Sequence, residues 1–121
     1  NILGGNLGWN LSATATTTLM TVAAEKIVKI NRITVANVDG AAAADVSLFV
    51  DGLTTAGADG ITPTGASATV YLAKTISVPA DATLVISDTP IYLMEGDILK
   101  GGASAASDLD LFISYEVLDD A

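Results

Sequence analysis

The sequence predicts an all-β domain: an antiparallel, jelly-roll-like β-sandwich of about eight strands behind an extended N-terminal arm. Three observations lead there. Leu109, Leu111, Ile113, Tyr115 and Val117 alternate with Asp108, Asp110, Phe112, Ser114 and Glu116. That is a period of two, with one face apolar and the other mostly polar. Apolar segments of strand length recur between turn residues at spacings of roughly 8–12 residues. No stretch carries the period of a long amphipathic helix.

The elements follow in order. Ile2 to Leu11 holds Gly4, Gly5 and Gly8, which disfavour both helix and regular strand. It also carries Ile2, Leu3, Leu7 and Trp9, large side chains that suit an arm docking on a partner or folding back on its own domain. Residues 1–15 are therefore assigned to an arm and 16–121 to the sandwich. Thr18–Val22 reads as the first strand, and Ala23–Lys26 as a turn. Ile27–Val38 is a long strand whose phase slips: Val28 and Ile30 have one parity, Ile33 and Val35 the other. A β-bulge near Asn31-Arg32 would return both pairs to the core. Asp39-Gly40 is a turn. Ala41–Ala44 could start a short helix, and Val46, Leu48 and Val50 mark a strand. Asp51–Ser67, with four Gly and Pro63, is a surface loop or inserted hairpin. Ala68–Val78 alternates with Val70, Leu72, Ile76 and Val78 on one face, although Lys74 shares their parity. Pro79-Ala80-Asp81 turns into Thr83–Ser87, and Asp88-Thr89-Pro90 precedes Ile91–Met94. Glu95-Gly96-Asp97 is a tight turn before Ile98–Lys100, and Gly101–Ser107 a small-residue connection to the last strand.

At 121 residues the chain suits one domain. Net charge is −9, with five basic residues and no basic cluster, so nucleic-acid binding is disfavoured. No run of eighteen apolar residues suggests a membrane-spanning helix, and no membrane partner is expected. The start lacks a basic segment followed by an apolar one, so no retained signal peptide is expected, and a chain beginning at Asn1 is expected to have lost an initiator Met. Lys and Glu are sparse, replaced by Ala, Thr, Ser and Gly, which leaves little side-chain entropy to lose in permanent packing.

There is no Cys and no His, which removes thiolate metal sites, Cys nucleophiles and the commonest general base. Asp97, Asp108 and Asp110 could form a carboxylate cluster, but they fall in turns or on the polar face of a strand. Asp51-Gly52 and Asp59-Gly60 bracket a Gly-rich loop that could offer oxygens to calcium. The spacing does not fit the twelve-residue calcium loop, and turn chemistry accounts for both pairs. Gly4-Gly5-Asn6-Leu7-Gly8 lacks the Lys-Ser/Thr of a phosphate loop. Asn10-Leu11-Ser12 matches a glycosylation sequon by chance pattern. No enzyme activity, catalytic residue, cofactor or metal is expected. The interface residues are Ile2, Leu3, Leu7 and Trp9.

Several segments in fixed order carry a resemblance: Leu19–Lys26, Ile33–Gly40, Ala73–Ala80 with Thr83-Leu84, Pro90–Leu93 with Glu95-Gly96-Asp97, Ala103-Ser104, and Leu109-Asp110 to Ser114-Tyr115. Together they span Thr18 to Glu116. The set resembles small virion structural proteins of tailed bacteriophages. The resemblance implies a β-sandwich component of the particle without enzyme activity. The function expected from it is a capsid decoration (cement) protein that reinforces the head shell, a homo-oligomer bound to the major capsid protein or other virion proteins. It would reside in the virion, and in the host cytoplasm during assembly. The alternatives are a tail or head-fibre component with a host-binding role, and a carbohydrate-binding module. The latter is weakened by the supply of one Trp, three Tyr and two Phe. The N-terminal segment and the Asp51–Ser67 loop lie outside the shared pattern.

Overall fold

The computed structural model describes residues 2–58 and 60–119. Its nine strands are β1 (Ile2–Asn10), β2 (Thr18–Thr21), β3 (Lys26–Asn37), β4 (Ala44–Asp51), β5 (Val70–Val78), β6 (Thr83–Ser87), β7 (Ile91–Leu93), β8 (Ile98–Ala103) and β9 (Leu109–Asp119). The described residues contain no helix. One sheet runs β1-β9-β3-β6, with β7 also on β3; the other runs β2-β8-β4-β5. All the pairings are antiparallel. With β7 set aside, this strand order is that of a jelly roll, two four-stranded sheets between which the chain passes back and forth, except that β4 and β5 follow one another in the second sheet.

The core lies between the sheets. From the first sheet come Val28, Ile30, Ile33, Val35, Leu109, Leu111 and Ile113. Val46, Leu48, Val50, Val78 and Leu99 face them from the second. The phase slip in β3 is a bulge: its ladder with β9 runs Ile30↔Tyr115 and then Arg32↔Ser114, leaving Asn31 without a partner position. Val28 and Ile30 before it, and Ile33 and Val35 after it, are all buried. On the other side of β3 the pairing is interrupted at the same place. There β7 pairs with Val28–Ile30 and β6 with Ile33–Ala36, and Asp88-Thr89-Pro90 bridges the gap. Pro lacks the N–H a ladder needs, so the edge breaks there.

The turn at Glu95-Gly96-Asp97 forms as expected, with Gly96 at φ 85°. Asp97 is buried, and its Oδ2 accepts the Met94 N–H at 2.8 Å. Asn37 is the other buried polar residue among the described residues; its Nδ2 donates to the carbonyls of Ala42 and Val78. This holds Ala41–Ala43 as a loop, so the helix that four Ala could start does not form.

Three expectations are corrected. Residues Ile2–Asn10 form a regular nine-residue strand despite three Gly, because β9 supplies an unbroken template from Leu118 to Asp110. Gly5 fits this position: a Cβ there would lie 2.6 Å from Cζ of Tyr115. Gly101 to Ala103, expected in a connection, complete β8 and are buried. A Cβ on Gly101 would collide with the Ser47 carbonyl oxygen, so the absent side chains let β8 lie close to β4. In β5, Val70 and Ile76 are exposed and Ala73 is buried instead. The β4–β5 ladder shifts twice between Val46 and Phe49, and Thr75 sits at φ 48°, so simple alternation fails.

Candidate functional site

The N-terminal residues chosen from the sequence come together on β1. Direct partners across a ladder share a face. Leu3 is opposite Val117, Leu7 opposite Ile113 and Trp9 opposite Leu111, so these three face the sandwich interior. Ile2, opposite Leu118, takes the other face. Burial is graded. Trp9 is half-buried against the core, Leu7 is 36% exposed and Leu3 61% exposed. The cause is the shortness of β2, the strand of the second sheet on this side, which spans only four residues. It leaves an open groove of about 230 Å³ lined by Leu7, Met20, Thr21, Val22, Ala23, Lys26, Val28, Tyr115 and Val117. Met20, Tyr115 and Val117 were not among the sequence candidates. The alternation of β9 continues through Tyr115 and Val117, and that was the available clue to them.

Segment 11–15 does not belong to an independent arm. Leu11 is 2% exposed, lies in the core, and its N–H donates to the Leu109 carbonyl at 2.8 Å. That bond fixes the phase of the β1–β9 ladder. In an antiparallel pair, residues alternate between bonding inward to the neighbour and pointing their N–H and C=O away. Leu3, Gly5, Leu7 and Trp9 share the parity of Leu11 and bond to β9. Ile2, Gly4, Asn6, Gly8 and Asn10 therefore direct their backbone groups to the free edge.

Charges beside this edge are paired. Asn10 Nδ2 donates to Asp110 Oδ1 at 2.8 Å. Glu116 lies 3.7 Å from Lys29 Nζ and accepts from Asn31 Nδ2 at 3.3 Å. Asp119 lies 3.3 Å from Lys26 Nζ.

The carboxylates considered for chemistry are dispersed. Asp97 closes its turn, and Asp110 pairs with Asn10. Among the described residues, no group of three or more acidic side chains is placed to hold a metal ion. In the Asp51–Ser67 loop, Asp51 accepts from Lys100 Nζ at 2.8 Å, from the Thr69 hydroxyl at 2.7 Å and from the Gly52 N–H at 2.9 Å. The Lys100 hydrogen bond, then those from Thr69 and Gly52, lower its pKa from 3.8 to about 2. Asp59 lies outside the described residues. The exposed aromatics are scattered: Tyr71 is on β5 in the second sheet, while Tyr92 and Phe112 stand opposite Lys29 and Thr34 of β3. Five residues of strand separate those two positions by about 17 Å, too far for one stacking platform.

The chain matches no protein-family model, and no curated protein is significantly similar to it.

Proposed function

We propose that this chain is a structural protein of a tailed-bacteriophage particle, a decoration protein that binds the outside of the head shell and stiffens it. One observation carries the reading: the segments that resemble such proteins fall, in order, on strands and turns of a single jelly roll between β2 and β9, with β4 and most of β8 outside them. The surface suits the role. Basic residues are few, small neutral side chains are many, and an apolar groove is left open between the sheets. A protein that binds only the assembled lattice stabilises that lattice by mass action. No catalytic step is part of the proposal, and the major capsid protein is the proposed partner. The test is the number of copies in purified particles, measured by quantitative mass spectrometry. Hundreds of copies support decoration of the head. A handful supports the tail or head-fibre reading, and none overturns both.

A further inference from the structure

We infer that the free edge of β1 is a self-pairing interface, through which two copies of this chain join β1 to β1 into one continuous sheet. The inference does not depend on the virion assignment.

The two sheets end in four edges, and three are spoiled for pairing. The β6–β7 edge is broken at Asp88-Thr89-Pro90. The β5 edge carries Lys74 and the left-handed Thr75, and its ladder shifts twice. The β2 edge is four residues long with its own register shift. Such breaks, charges and short strands are the usual defences against edge-to-edge association. β1 has none of them. Its nine residues pair without a shift, and they include no charge and no Pro. Its one extensive neighbour among the elements is β9.

The occupant that fits is a second β1. The outward backbone groups belong to Ile2, Gly4, Asn6, Gly8 and Asn10, whose middle member is Asn6. A two-fold axis at Asn6 sets Asn6 against Asn6, Gly4 against Gly8 and Ile2 against Asn10. Every such pair joins outward-directed groups on both strands, as a closed two-fold interface requires. The interior-facing side chains then match by size: Leu3 meets Trp9, and Gly5 meets Leu7. Leu3, the most exposed of them, gains an aromatic neighbour. On the other face Gly4 and Gly8 offer no bulk, and nothing lies within 4 Å of a Cβ built on Gly4. Two chains of net charge −9 repel each other, but here they meet through uncharged strands. The acids one strand away are already partnered by Asn10, Lys29 and Lys26.

Two variants of the full chain test this. Asn6→Pro removes an N–H that β9 does not use, so the fold should survive, as checked by circular dichroism. Its dimer should dissociate at least about 30-fold more readily, the equivalent of two lost hydrogen bonds. The wild type should sediment as a dimer at micromolar concentration. The chain has no Cys, so Asn6→Cys places a single thiol on the proposed axis. Mild oxidation should cross-link it far faster than Asn10→Cys, whose register partner is Ile2. A wild type that remains monomeric overturns the inference and leaves the edge to a strand of a different protein. A dimer unaffected by Asn6→Pro, or equal cross-linking of the two thiols, overturns it as well.

Discussion

Ile113 has no exposed surface and sits in the middle of β9, flanked by β1 and β3. Truncating it leaves a cavity that strands on both sides cannot easily fill. Ile113→Ala should destabilise the domain by about 2–5 kcal/mol, read from urea unfolding followed by circular dichroism; a loss near zero would remove Ile113 from the core. Phe112, its neighbour, is 47% exposed on the opposite face, so Phe112→Ala serves as a control with a much smaller loss. Asp51 gives a pH signature. Its folded pKa, about 2, lies below the ordinary 3.8 because Lys100, Thr69 and Gly52 all donate to the charged form. A depressed carboxyl stabilises the fold above its unfolded pKa, and that contribution is lost as pH falls through the folded value. The melting temperature should therefore decline between about pH 4 and pH 2, and Asp51→Asn should flatten that part of the profile. An unchanged slope in the variant would show that other groups set it. The effect is small, because the pair is only partly buried and solvent still screens it.

At the scale of elements, the bulge at Asn31 holds β3 in the core. Replacing Asn31 by Ala should cost little, since only its 3.3 Å bond to Glu116 is lost. Deleting Asn31 is different. It would turn either Val28 and Ile30 or Ile33 and Val35 outward, exposing two large side chains at about 1.5–3 kcal/mol each. The deletion should leave no cooperative thermal transition by differential scanning calorimetry, while Asn31→Ala keeps one; a folded deletion variant would show that the register is not fixed this way. This feature was legible in the sequence because an apolar period of two cannot change phase without an extra residue. The turn at Gly96 and the strand at β9 were legible for equally local reasons. β1 was not. Its alternation, Leu3, Leu7 and Trp9, is interrupted by Gly5, and the reason for that glycine is the ring of Tyr115, 110 residues further on. Gly101 and Gly102 misled in the same way, because close approach to β4 and to Thr14 requires them, and neither neighbour is near in sequence. The open groove depends on β2 being shorter than the strands opposite, which no single segment reveals.

For the whole molecule, the question is how much of the sandwich needs its first strand. Removing residues 1–8 takes away the exposed part of β1 and keeps Leu11. This form should still unfold in one cooperative step. Removing residues 1–11 also takes Leu11, a core side chain, and should cost a further loss of about 2–5 kcal/mol. Urea titrations of the two truncations measure the difference, and coincident midpoints would show that Leu11 adds nothing. The strand order has another consequence, for synthesis. β9 lies between β1 and β3, so the first sheet is built around the strand that is synthesised after the other eight described strands. From Asn37, where β3 ends, to Leu109, where β9 begins, elongation at about 5–20 residues per second takes roughly 4–14 s. Through that interval the apolar faces of β1 and β3 have no central strand to join them. The nascent chain must keep them from wrong partners until β9 arrives, and folding then proceeds through long-range pairings, which are intrinsically slow.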